Sequence, residues 1–201
     1  MGYRIVKRLL DIVASAILLA VFCLPLLVIM TCIRLTSEGA AIFKQRRVGR
    51  NGKLFVCYKL RTMYKDAPPN LSTAEFFDAE RYVTPIGRLL RRTSLDELPQ
   101  LLNVLKGDMS IIGPRPLIPE EESIHQKRRE RRVYSIRPGM TGLAQIRGRD
   151  MLTDSEKLTF DCEYVNNMSL LLDLKILFFT VLNVITGKGI EDRKKEKRIK
   201  G

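Results

Sequence analysis

Hydrophobic and polar positions fall along this chain in blocks of different period. From Ile12 to Ile33, IVASAILLAVFCLPLLVIMTCI, no residue is charged, and this run of about 22 residues is long enough to cross a bilayer as a helix. No convincing small-residue cleavage site follows it, which argues against a removable signal. Pro25 lies near the middle, where a missing N–H and a clash with the carbonyl one turn back predict a bend or break. Arg4, Lys7 and Arg8 precede the run, and Arg34, Lys44, Arg46, Arg47 and Arg50 follow it. Cationic flanks favour the cytoplasmic face, so a helix that enters, breaks at Pro25 and returns satisfies both, whereas a straight span strands one. The expectation is a re-entrant membrane helix-break-helix over residues 1–35, with a kinked spanning helix as the alternative.

The pattern then shortens to that of strands. AIFKQRRVGRNGKLFVCYKLRTM reads as two strands joined around Asn51-Gly52, a pair that favours a tight turn. A strand from Phe55 to Met63 would place Lys59 and Arg61 on one face, either against acidic lipid headgroups or as a clamp on a phosphate. The 68–85 stretch reads as a surface loop with a short helix. GRLLRRTSLDELPQLLNVLKG has leucines at helical spacing and a stop at Gly107, and SIIGPRP is a short extended piece entering a stiff turn. Glycines 139, 142 and 148 offer permissive backbone near Arg137, Arg147 and Arg149. Neither phosphate-loop nor dinucleotide-binding glycine order occurs there. A helix is expected from Asp154 to Asn166, carrying Asp161. Another runs from Ser169 to Gly187, apolar but interrupted by Asp173 and Lys175, on the core or at the membrane surface.

These elements predict an α+β, helix-rich fold with a short β-hairpin, the N-terminal membrane element, and amphipathic helices at the membrane surface. A cytoplasmic-facing catalytic or binding domain would cover 36–187, followed by a basic mobile tail over 188–201.

Charge narrows the partners. The 201 residues carry a formal net charge of +13 and a sequence pI near 9.9, which calls for an anionic partner: nucleic acid, acidic lipid or a phosphorylated substrate. The scattered cysteines Cys23, Cys32, Cys57 and Cys162 favour a reducing compartment and disfavour structural zinc. His125, the only histidine, lies in the run EEESIHQKRRERR and reads as a solvated side chain.

Against this basic background, Asp96 and Glu97 stand side by side in SLDELPQ. Ser94 to Glu97 fits a capping box, and acids in a first helical turn gain roughly 0.3–1 kcal/mol from the helix dipole. The chemical alternative starts from the arginines nearby, whose charge is expected to lower a carboxylate's pKa. An ionised carboxylate can hold Mg²⁺ or attack phosphorus, while Lys59, Arg91, Arg115 and Arg149 could stabilise charge on phosphoryl oxygens. Such a set suits phosphoryl transfer at a membrane surface.

Several ordered motifs, KRLLDIVAS, YKLRTM, SLDELPQLLNVLKGDMSIIGPRP, RPGMTGLAQIRGR and FDCEYVNNMSLLLDLKIL, make nearly the whole chain resemble the bacterial sugar transferases, the monotopic phosphoglycosyl transferases. The resemblance implies transfer of a sugar 1-phosphate from a UDP-sugar to polyprenyl (undecaprenyl) phosphate, with release of UMP, in glycoconjugate synthesis at the cytoplasmic face of the bacterial inner membrane. It implies that Asp96 is the nucleophile, that Mg²⁺ sits beside Asp96 and Glu97, and that Lys59, Arg61, Arg91, Arg115, Arg149 and Asp161 lie in or near the site. Glu97 would bind metal or assist the pair's protonation. The family's hairpin often breaks at Ser-Pro, whereas this chain has Leu24-Pro25, and it looks like a minimal catalytic unit. Anionic headgroups are the expected lipid partners. Nucleic acid is not expected, because aromatic interleaving of the single-strand-binding kind is missing. Two competing readings are a non-catalytic membrane-surface adaptor and a metal-dependent phosphatase.

Overall fold

The first element, helix α1 (Gly2–Thr36), is also the longest of those described. The computed structural model describes residues 2–67, 81–148 and 151–186; most of the expected 68–85 loop, Arg149, Gly187 and the 188–201 tail lie outside them. α1 continues through Pro25 without interruption, which corrects the expected division into two helices. A proline removes one donor from the ladder, and the bonds on either side keep the helical register.

Both ends of α1 dock on the rest of the protein, and its middle does not. Near the start, Lys7 Nζ donates to Asp173 Oδ2 at 2.6 Å, and Asp11 Oδ1 accepts from the Ile111 N–H at 3.1 Å. Near the end, Ile33 is buried with Ala41, Leu60 and Leu90. Between them Ile17, Val21, Leu24, Leu27 and Val28 are exposed, and α1 is long and apolar enough to cross a membrane.

Strands β1 (Ile42–Val48) and β2 (Leu54–Leu60) form the expected antiparallel hairpin, with Phe43 opposite Lys59. Asn51 (φ 57°) and Gly52 (φ 74°) take the left-handed backbone that their types tolerate. Helices α2 (Pro85–Thr93) and α3 (Gln100–Lys106) follow, then β3 (Ser110–Ile112), α4 (Glu122–Glu130) and β4 (Gly139–Thr141). β3 and β4 pair in parallel. Gly139 is needed there for space, not for a positive φ: a Cβ would lie 2.1 Å from the Gly113 nitrogen.

Short helix α5 (Leu143–Arg147), then α6 (Asp154–Asn167) and α7 (Leu170–Thr186), complete the described chain. α6 begins on a capping box between Thr153 and Glu156. α7 is two-faced. Ile176 packs inward with Ile112, Ile136, Leu143 and Tyr164, while Leu171, Leu174, Phe178 and Ile185 are exposed. Asp173, which interrupts the apolar pattern, is buried and accepts from Tyr3 and Lys7 on α1 and Tyr164 on α6.

Candidate active site

The acidic pair sits where the chain turns between two helices. α2 ends at Ser94, whose backbone is left-handed (φ 57°) and whose N–H closes on the Leu90 and Arg91 carbonyls. Leu95–Glu97 form one 3-10 turn, and Pro99, with no N–H to lose, stands at the start of α3. The single helix expected across this stretch is thus two helices. The predicted capping box does not form: a left-handed Ser94 terminates α2 and makes no side-chain cap, and Glu97 turns toward Lys59 instead.

Lys59 on β2 donates from Nζ to Glu97 Oε1 at 2.7 Å, and Arg115 Nη1 lies 3.5 Å from the same oxygen. Arg91, in the last turn of α2, is oriented by a 2.9 Å bond from its Nε to Thr62 Oγ1. The charges of Lys59, Arg91 and Arg115 all bear on Asp96. Even so, the Asp96 carboxyl is pushed up to about 6, first by burial and then by the neighbouring Glu97 charge, and the three cations only partly offset this. The expectation of a lowered pKa is corrected, because counting cations along a sequence leaves out desolvation.

The loop carrying Arg115 is held at every carbonyl from 115 to 118. Arg128 Nη1 donates to the Arg115 carbonyl at 2.8 Å, Arg47 Nη1 to Pro116 at 3.0 Å, the Val48 N–H to Leu117 at 2.9 Å, and His125 Nε2 to Ile118 at 2.7 Å. Prolines stiffen this turn; the fourfold clamp fixes where it points.

Two of the expected site residues lie elsewhere. Arg61 is not beside Lys59: β2 ends at Leu60, so strand alternation no longer aims its side chain. Its guanidinium instead caps the end of α1, with Nη2 donating to the Ser37 carbonyl at 2.7 Å and to Ser37 Oγ at 2.9 Å. Asp161 is buried against Arg128 Nη2, on the guanidinium that also holds the Arg115 carbonyl. Arg149 falls outside the described residues.

Arg128 and His125 are the residues that sequence reasoning missed. Both are buried on the inner face of α4, and the solvated reading of His125 is corrected: its Nδ1 meets the Tyr134 hydroxyl while Nε2 holds Ile118. The available signal was Ile124, the one apolar residue of a charged run, since 125 and 128 share its side of a helix.

Two adjacent carboxylates also fit a hard divalent cation. Among the described residues no cluster of three metal-ligand side chains occurs, so the protein would offer Asp96 and Glu97 alone. That matches Mg²⁺, which commonly takes one or two carboxylates and completes its shell with phosphate oxygens and water. The like-charge strain on Asp96 is what such a cation would relieve.

The described chain thus joins a helix long and apolar enough to cross a membrane to an acidic pair faced by three cations. The profile described as bacterial sugar transferase matches residues 2–187, and the chain belongs to this family. It is 43% identical over 188 residues, covering 90% of this chain and 70% of the relative, to the UDP-glucose:undecaprenyl-phosphate glucose-1-phosphate transferase of Caulobacter vibrioides. It is 37% identical over 199 residues, covering 91% and 87%, to the exopolysaccharide production protein ExoY of Rhizobium meliloti. The undecaprenyl-phosphate galactose phosphotransferase of Salmonella typhimurium is 38% identical over 200 residues, covering 92% of this chain and 42% of its own length.

Proposed function

We propose that this protein transfers a sugar 1-phosphate from a UDP-sugar to undecaprenyl phosphate through a covalent aspartyl-phosphosugar intermediate. The observation that carries the reading is the Asp96–Glu97 pair, placed in a helix break and faced by Lys59, Arg91 and Arg115. A carboxylate with a pKa of about 6 is still mainly ionised at neutral pH and more nucleophilic than an ordinary one.

In the first step an Asp96 oxygen attacks the sugar-bearing phosphorus, the bond to the UMP oxygen breaks, and UMP leaves with that electron pair. Lys59, Arg91 and Arg115 are positioned to stabilise the charge developing on the phosphoryl oxygens. In the second step a phosphate oxygen of the lipid attacks the same phosphorus. The acyl-phosphate bond breaks, Asp96 is regenerated, and the product is a polyprenyl diphosphate sugar. Mg²⁺, held by Asp96 and Glu97, would supply charge neutralisation for the diphosphate.

The proposal extends to the membrane. α1 enters and returns on the cytoplasmic side of the bacterial inner membrane, bending at Pro25 within a continuous helix, and the exposed apolar face of α7 lies at the same surface. Docking of both α1 ends on one body supports this arrangement, as do the basic flanks. Residues 36–187 would then form the catalytic unit.

The test measures UMP release from UDP-glucose and UDP-galactose with Mg²⁺, with and without undecaprenyl phosphate. Sustained release that requires the lipid, and is lost on chelation, is the expected result. Lipid-independent release of free sugar phosphate would make the protein a phosphatase, and no release with either donor would count against transfer of glucose or galactose phosphate.

A further inference from the structure

A second positively charged region lies beside the first turns of α1. It is an open cavity of about 740 Å³ that shares no lining residue with the Asp96–Glu97 site. Arg4, Arg8, Arg50 and Arg137 line it; Asp11 is there to oppose them, and Lys7 is already neutralised by Asp173 at 2.6 Å.

The four arginines divide into two kinds. Arg8 donates to the Val104 and Leu105 carbonyls at 2.6 and 3.0 Å, and Arg137 Nε donates to the Gly107 carbonyl at 2.7 Å, so both are fixed at the end of α3. Arg4 and Arg50 are exposed and make no side-chain hydrogen bond or ion pair among the described residues. Burial and the nearby charges of Arg8 and Arg50 lower the Arg137 pKa, a mark of cations gathered without enough negative charge. The remaining wall is apolar. Ile5 and Leu9, 61% and 60% exposed, lead from the cavity along α1 into the uncharged Ile12–Ile33 run. Cationic head space next to an apolar track matches a phosphate-bearing amphiphile better than a free anion.

We propose that this cavity is a second, non-catalytic phosphate site, which takes the headgroup of an anionic membrane lipid on Arg4 and Arg50 and lays its acyl chain along Ile5 and Leu9. The site tethers the start of α1 to the plane of the membrane, independently of the chemistry at Asp96.

The test uses the full chain in neutral detergent with no sugar donor, titrated with phosphatidylglycerol and followed by native mass spectrometry. Wild type is expected to retain one tightly held lipid. Arg4→Gln with Arg50→Gln should weaken that binding about tenfold or more, and Arg50→Gln alone should give an intermediate loss. Lys44→Gln with Arg46→Gln, an equal charge change on exposed β1 positions, should leave it unaltered. Diacylglycerol, which lacks the phosphate, should not be retained, and millimolar inorganic phosphate should compete poorly. Unchanged affinity in the Arg4/Arg50 variant, an equal loss in the Lys44/Arg46 variant, or full displacement by inorganic phosphate would each overturn the assignment.

Discussion

Two acidic sites in this protein are built from the same side chains to opposite ends. Asp161 is buried against one partner, Arg128, which also holds the Arg115 carbonyl; both side chains are almost fully enclosed. Asp96 is half-buried, sits next to a second carboxylate, and faces three cations that do not fully offset its burial. In the first, burial raises the Asp161 pKa and the Arg128 charge only partly offsets it, and the pair fixes a loop. The second adds repulsion from a neighbouring carboxylate, Glu97, which a cation would relieve, and a carboxylate perturbed in that way is a candidate for chemistry.

The sharpest way to break the contrast is Asp96→Asn. Transfer should fall at least about a thousandfold, because the amide cannot form the acyl phosphate. Stability should move the other way. An acid whose folded-state pKa is raised from 3.8 to about 6 binds more protons folded than unfolded between those values, so folding loses free energy as pH rises through that window. In chelator at pH 8 the variant's thermal midpoint should therefore exceed that of wild type, by an amount equivalent to up to about 3 kcal/mol, and most of the gain should be gone near pH 4. A gain that persisted at pH 4 would show that relief of the Asp96 charge is not its source.

At Asp161 the expected sign is reversed. Arg128→Ala leaves a buried carboxylate unpaired and should cost about 3–5 kcal/mol in chemical denaturation. Arg128→Met combined with Asp161→Leu should recover much of that loss, yet kcat should stay depressed, since the Arg115 carbonyl still lacks its donor. Full recovery of kcat would assign the pair to stability alone. Next in size is Arg115→Lys, which keeps the charge but loses the planar fork. It should lower kcat about tenfold with little change in thermal midpoint; equal turnover would make Arg115 a structural residue. The smallest effect expected is from Tyr134→Phe, which removes the hydroxyl facing His125 and should cost about 1 kcal/mol.

What the sequence made legible was whatever rests on local pattern. The uncharged run of α1, the Asn51-Gly52 hairpin and the helical period of α6 all follow from spacing and turn chemistry, and the motif order carried the family. Lys59, Arg91 and Arg115 do gather at the acidic pair. What remained hidden depends on tertiary packing. Arg61 looks like a partner of Lys59 until the strand ends one residue earlier and Ser37, just past α1, claims it. Arg128 and His125 lie in a run so charged that solvent seems their natural place, and only packing on Ile118, Arg115 and Asp161 draws them inside. The raised pKa of Asp96 is invisible for the same reason: charge can be counted from residues, whereas burial needs the fold.

The central claim is that Asp96 carries the phosphosugar. Its most direct test is the intact mass of the purified protein incubated with Mg²⁺ and a panel of UDP-sugars, without lipid acceptor, alongside Asp96→Asn. The account predicts a mass gain of one sugar phosphate in wild type, absent from the variant and discharged by adding undecaprenyl phosphate. Lipid-dependent UMP release from a wild-type enzyme that never gains mass, or an adduct that forms equally on Asp96→Asn, would contradict it.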